Sequence, residues 1–190
     1  MTSKYDFEVN AAVGIGFGAN VTFENCIFDG NGFVESSVLI FHHFGKGKVK
    51  NSTIKNAYGT LINSGAVAEF EDSIFESLEI GIICTGNAML SMKNCSFKNN
   101  GSGVAVMEEG VTSVSNCRFM NHSGAAIFIK DQAKGTFENN EIIDTKQFGI
   151  LVRSEEPIVF RSNKLKNNAT DWLIECSGKQ LQRIDNEPNE

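Results

Sequence analysis

Five cysteines (Cys26, Cys84, Cys95, Cys117 and Cys176) and three histidines (His42, His43 and His122) are the side chains of this sequence with the strongest intrinsic chemistry. Thiolates and imidazoles at the right spacing hold zinc, and paired thiols exchange disulfides. The spacing here serves neither purpose. No two cysteines form a CxxC pair and no histidine column accompanies them, so no tetrahedral ligand set is in reach. Cys95 and Cys117 stand in two near-copies of one phrase, "NCSF" and "NCRF". Adjacent turns of a repeating chain would bring that pair within disulfide range, but buried, reduced packing is the expectation. An odd count of unpaired thiols suits a reducing compartment. The histidine pair lies in "LIFHHFGKGK", in the longest unit, where a loop is expected to be inserted and to pack down through Phe41 and Phe44. His122 lies in a turn with no role assigned. "VGIGFGAN" starts like a strand, and no P-loop lysine or helix follows it.

The remaining classes are bounded by composition. A net charge of −6 with scattered basic residues argues against nucleic acid or an anionic membrane as partner. No apolar run approaches the roughly 18–20 residues needed to span a bilayer, and "MTSKYDFEVN" lacks the apolar centre of a secretory signal. The composition is unusual in its 15 Phe and 18 Gly against only 2 Pro, with a great deal of Asn.

The architecture follows from internal periodicity. The segments "FENCIF", "VKNSTI", "FEDSIF", "MKNCSF", "VSNCRF", "FENNEI" and "FRSNKL" align on Asn25, Asn51, Asp72, Asn94, Asn116, Asn139 and Ser162, at spacings of 26, 21, 22, 22, 23 and 23. Each unit carries three short runs with period-two alternation, as in "LSM", "CSF" and "VAV". Three strands per unit close one triangular coil, and coils stack in parallel about 4.8 Å apart. The fold class expected is therefore all-β: a right-handed, single-stranded parallel β-helix of about seven coils, 21–26 residues each, roughly 34 Å long. Three inward stacks fill it: Phe23 to Phe160 on the first strand, Phe28 to Leu165 on the second, and valine and isoleucine from Val104 to Val152 on the third. Asn or Asp at the bend tolerates a left-handed backbone. The next column, Cys26, Ser52, Ser73, Cys95, Cys117, Asn140 and Asn163, is expected to point inward as small corner fillers. The expected division is a lead-in at 1–10, the β-helix at 11–176 and a tail at 177–190.

The unit G-[IV]-x-V followed by A-x-[FV]-x-x-N-x-[IF]-x-x-N resembles the right-handed parallel β-helix repeat of the pectate-lyase-like fold. Within that group, "KGTFENNEIIDTKQFGILV" and "EEPIVFRSNKLKNN" resemble the repeats of F-box β-helix substrate receptors and SHC-binding midzone proteins. The resemblance implies that an enzyme of this fold would work on the outer face of the third strand. Pectate lyases need clustered Asp and an Arg there; polygalacturonases need close Asp with His and Arg-x-Lys. The outward positions instead read Leu61, Ile83, Ala105, Phe128, Leu151 and Leu173, flanked by Asn63, Thr85, Met107, Lys130, Arg153 and Glu175. The two carboxylates of glycoside cleavage are missing from this file. Lys130 and Arg153 read as a solvated edge or as contacts for an acidic partner.

The expectation is a non-enzymatic, intracellular (cytoplasmic) protein-recognition or scaffold module. It has no catalytic, metal or cofactor site, and it uses Leu61, Ile83, Phe128, Leu151 and Leu173, with Lys130 and Arg153, toward a protein partner or a neighbouring domain. A segment such as the tail covering this band is an equal possibility. A carbohydrate-binding or polysaccharide-cleaving β-helix and a secreted adhesin-like passenger stand as alternatives.

Overall fold

The structure is a computed structural model, and it describes residues 13–188. Asparagine and aspartate at the first bend do what their short polar side chains allow: Asn25, Asn51, Asp72, Asn94, Asn116, Asn139 and Ser162 all take positive φ, from 46° to 56°. Each turns the chain between a strand of one sheet and a strand of the next. The first sheet holds eight parallel strands, from Asn20–Glu24 to Leu181–Ile184, in chain order along the rod. A 12-stranded sheet folds over the other two faces. The result is a right-handed β-solenoid of about eight turns.

Two features depart from seven coils of three short strands. In the early coils the second and third faces share one unbroken strand, as in Ile27–Phe41, Thr53–Ile62 and Ile74–Cys84. Later coils split it, as in Ser96–Lys98 followed by Ser102–Val106. In addition, residues 177–190, read as a tail, contribute Leu181–Ile184, which pairs in register with Ile158–Arg161. This eighth rung extends the solenoid instead of crossing a face. It was illegible because Arg183 stands where the core column otherwise holds Phe, Val or Met.

The three inward stacks form the core. Val49, Phe70, Met92, Val114, Phe137 and Phe160 are buried, as are Ile54, Phe75, Phe97, Phe119 and Ile142. Rung spacing lets the rings stack flat, with Phe75–Phe97 centroids 4.5 Å apart at 4° and Phe97–Phe119 4.8 Å apart at 12°. The glycines that open the third strands at Gly81 and Gly103 have a steric cause. A Cβ on Gly81 would lie 2.7 Å from the Phe97 ring, and one on Gly103 2.7 Å from that of Phe119.

Along the first corner, inward small polar side chains form a ladder. The Cys26 amide donates to Ser52 Oγ at 3.0 Å, Cys95 to Cys117 Sγ at 3.4 Å, and Cys117 to Asn140 Oδ1 at 2.9 Å. From there the filler is asparagine. Asn140 donates from its backbone (3.0 Å) and its side chain (2.9 Å) to Asn163 Oδ1, and Asn163 repeats the pattern onto Asn186. The C-terminal end closes around Trp172, whose ring lies 5.0 Å under the Arg183 guanidinium and whose Nε1 donates to the Pro188 carbonyl at 3.2 Å. Among the described residues no helix is long and apolar enough to cross a membrane.

Candidate functional site: the outer face of the third strands

Alternation sends Ile82 and Cys84 into the core and turns Ile83 outward, and the same parity holds on every rung. Parallel pairing then aligns Ile40, Leu61, Ile83, Ala105, Phe128, Leu151 and Leu173 in one continuous file. The sequence-predicted residues are therefore brought together. Their exposure is lower than expected of an open stripe: Ile83 and Leu151 are each 7% exposed, while Leu61, Phe128 and Leu173 are half-buried. Side chains one rung apart shield one another, which sequence spacing alone does not convey. Among the described residues, all twenty strands lie within the two sheets and none crosses this file. The most open large apolar side chains are elsewhere, at Phe17, Phe33, Phe44 and Ile27.

Lys130 and Arg153 are aligned on adjacent rungs, and each is paired with a carboxylate of this chain. Lys130 Nζ lies 3.4 Å from Asp131 Oδ2; Arg153 bonds Glu175 and sets its guanidinium 5.8 Å from the Phe128 ring centroid. These cations tie down the edge of the apolar file.

The other outer faces are built differently. On the first, Lys48 bridges Glu69 at 3.4 Å and Glu71 at 3.5 Å, Lys50 meets Glu71 at 3.0 Å, and Arg161 meets Glu138 at 2.8 Å. On the second, Lys98 pairs with Glu76 at 2.9 Å and Arg118 with Glu141 at 2.8 Å. Opposite charges one rung apart make these faces self-compensating and solvated. Among the described residues, only the third face runs apolar across seven strands.

Its two rims are polar. At the second bend Asn31, Asn56, Ser77, Asn99, Asn121, Asp144 and Asn167 take positive φ, from 52° to 58°, a column that the sequence shows as an Asn, Ser or Asp soon after each core Phe or Ile. Outside it runs a groove of about 590 Å³ lined by Glu79, Asn99, Asn121, Ser123, Asp144 and Lys146, with Val34 at one end. These residues escaped the sequence reading, which followed only the first bend. The third corner carries Glu108, Glu109, Asp131, Glu155, Glu156 and Glu175.

Of the thiols, Cys84 and Cys117 are held in structural roles. Burial pushes the Cys84 thiol up to about 12, and the hydrogen bond shared with Cys95, together with burial, pushes the Cys117 thiol up as well. Neither thiol is poised as a thiolate. All five cysteines are unpaired, and among the described residues no group of three or more His, Cys, Asp or Glu could hold a metal ion. His42 and His43 form an ordinary third corner, with their Nδ1 atoms 2.6 Å apart and Phe17 stacked on His43 at 5.1 Å. The extra length of that coil lies upstream instead, where register shifts interrupt pairing between Asp29 and Leu39. Phe41 is buried as expected, whereas Phe44 is exposed instead of packing down. His122, left unassigned in a turn, proves fully buried in the core beside Phe119, with neither ring nitrogen in a well-formed hydrogen bond; burial pushes its pKa down to about 4.

The family model described as the right handed beta helix region matches residues 37–186. This chain belongs to the right-handed β-helix family. No curated protein and no solved structure matches it. The matched span includes the complete apolar file from Ile40 to Leu173 and the eighth rung at Leu181–Ile184.

Proposed function

We propose that this chain is a non-catalytic β-helix domain that recognises a protein, either a separate partner or a neighbouring domain, through the outer face of its third strands. The observation that carries the reading is the contrast between faces: two are laced with ion pairs one rung apart, and one is apolar along seven rungs. A contiguous apolar band framed by polar rims is the composition of a protein contact surface. The resemblance of its repeats to intracellular β-helix receptors supports the same role, and five unpaired cysteines suit a reducing, cytoplasmic setting. The seven positions of the file itself, Ile40, Leu61, Ile83, Ala105, Phe128, Leu151 and Leu173, carry no carboxylate.

The test compares proteins captured by the wild-type chain with those captured by a Phe128→Asp, Leu151→Asp double variant, with circular dichroism confirming that both are folded. Specific partners are expected to disappear from the variant's capture. Recovery of the same partners by both chains, or polysaccharide cleavage by the wild type, would overturn the reading.

A further inference from the structure

The net charge of the molecule is unevenly placed, and its placement specifies what the third face takes. The first and second faces neutralise their charges in pairs across rungs. The rims of the third face do not balance. The third corner presents Glu108, Glu109, Asp131, Glu155, Glu156 and Glu175, and the second bend presents Glu79, Asp144 and Asp171. Against these stand Lys130, Arg153, Lys179 and Lys146, with Lys134 reaching round from the neighbouring face to Glu156 at 3.4 Å. An apolar track thus runs between two acidic banks on a chain whose net charge is −6.

We propose that the occupant of this track is a basic amphipathic helix of a partner protein, lying along the rod axis with its apolar stripe on the half-buried Leu61, Phe128 and Leu173 and its lysines or arginines over both banks. This rests on the protein-recognition reading above and names the class of partner. The dimensions agree. The third strand is three to seven residues long, and five residues span about 16 Å, enough for a helix of roughly 10–12 Å diameter. The file from Ile40 to Leu173 crosses six rung spacings, about 29 Å, which a helix of roughly 20 residues covers. A helical pitch of about 5.4 Å against a rung spacing of about 4.8 Å places close to one apolar turn on each rung. Basic flanks on both sides of the stripe answer the acidic banks, so that charge sets orientation and encounter rate while the apolar file supplies contact area. An acidic or neutral helix of the same shape would bring like charges together or leave the banks unanswered.

The test uses three fluorescein-labelled 20-residue peptides and fluorescence anisotropy: a Leu/Lys amphipathic helix, a Leu/Glu helix with the same apolar stripe, and a Ser/Lys peptide of equal positive charge without the stripe. The Leu/Lys peptide is expected to bind saturably with one site, at least about tenfold tighter than either of the others. The Phe128→Asp, Leu151→Asp variant should weaken it about tenfold or more. A Glu79→Lys, Glu109→Lys variant, with one exposed reversal on each bank, should weaken it severalfold and improve Leu/Glu binding. Equal binding of Leu/Glu or Ser/Lys, or indifference to the bank reversals, overturns the proposal. If no Leu/Lys binding occurs while the Phe128, Leu151 variant still loses its captured partners, the basic-helix assignment falls and protein recognition stands. If the capture is unaffected as well, both fall.

Discussion

His122 is a polar ring buried behind the second bend, between Asn100 and Thr145 in its column, and its chemistry makes the fold sensitive to acid. Neither ring nitrogen has a well-formed hydrogen bond; burial pushes its pKa down to about 4 from an ordinary 6.5, offset only in part by the nearby Asn100 backbone. A group whose folded pKa lies below its unfolded value binds fewer protons when folded. Its contribution is therefore complete above about pH 6.5 and is lost as pH falls from there toward 4, by up to about 1.4 kcal/mol per pH unit. His122→Leu should flatten this part of the curve and gain about 2–3 kcal/mol over wild type near pH 4.5, read from urea midpoints at several pH values. The ladder residues make a second contrast at this scale. Asn163 accepts from the Asn140 amide and side chain and donates to the Phe137 carbonyl at 2.9 Å, so Asn163→Ala strands several buried groups. It should cost about 2–4 kcal/mol. Cys117 makes the contacts that Ser52 and Ser73 make in the same column, donating to the Ser115 carbonyl and accepting from the Cys95 amide. Cys117→Ser should therefore change stability by less than about 1 kcal/mol, with a urea melt distinguishing the two outcomes.

At the scale of the strand and its bend, one backbone conformation is imposed at every coil. Asn116 sits at φ 52° between two core strands. Asn116→Val adds a branched Cβ in the left-handed region and should destabilise by about 1–3 kcal/mol, whereas Asn116→Gly should stay within about 0.5 kcal/mol of wild type; both are measured by chemical denaturation. This bend was legible in the sequence because its residue type recurs at a steady interval and its flanking apolar positions alternate. The second bend was not, because the inward column behind it is heterogeneous: Ala57, Leu78, Asn100, His122, Thr145 and Asn168 share no chemistry, although Leu78 and Thr145 donate their amides to Asn100 and Asn168 side chains at 3.0 Å. Missing that column hid both the burial of His122 and the groove outside it. The outward file was legible as an alignment, since parity alone places Ile83 beside Phe128's column. Its shielding was not, because shielding depends on how closely neighbouring rungs approach. Likewise, no local pattern announces that Thr53–Ile62 continues unbroken over an edge where Ser96–Lys98 and Ser102–Val106 are separate.

For the whole molecule, stability is distributed along the rod by contacts between neighbouring rungs. A core deletion such as Phe97→Ala removes a ring stacked against both Phe75 and Phe119 and should cost about 3–5 kcal/mol, seen as a lowered denaturation midpoint. The last rung differs from the others in placing Arg183 in the core column over Trp172. The ladder along the first corner has a mechanical consequence. From Cys26 to Cys117 each filler is a single thiol or hydroxyl, whereas Asn140, Asn163 and Asn186 interlock through doubled amide contacts. Stretched between its ends, such a rod behaves as a graded zipper: the serine and cysteine coils let go first, and the asparagine coils remain as the last piece to yield.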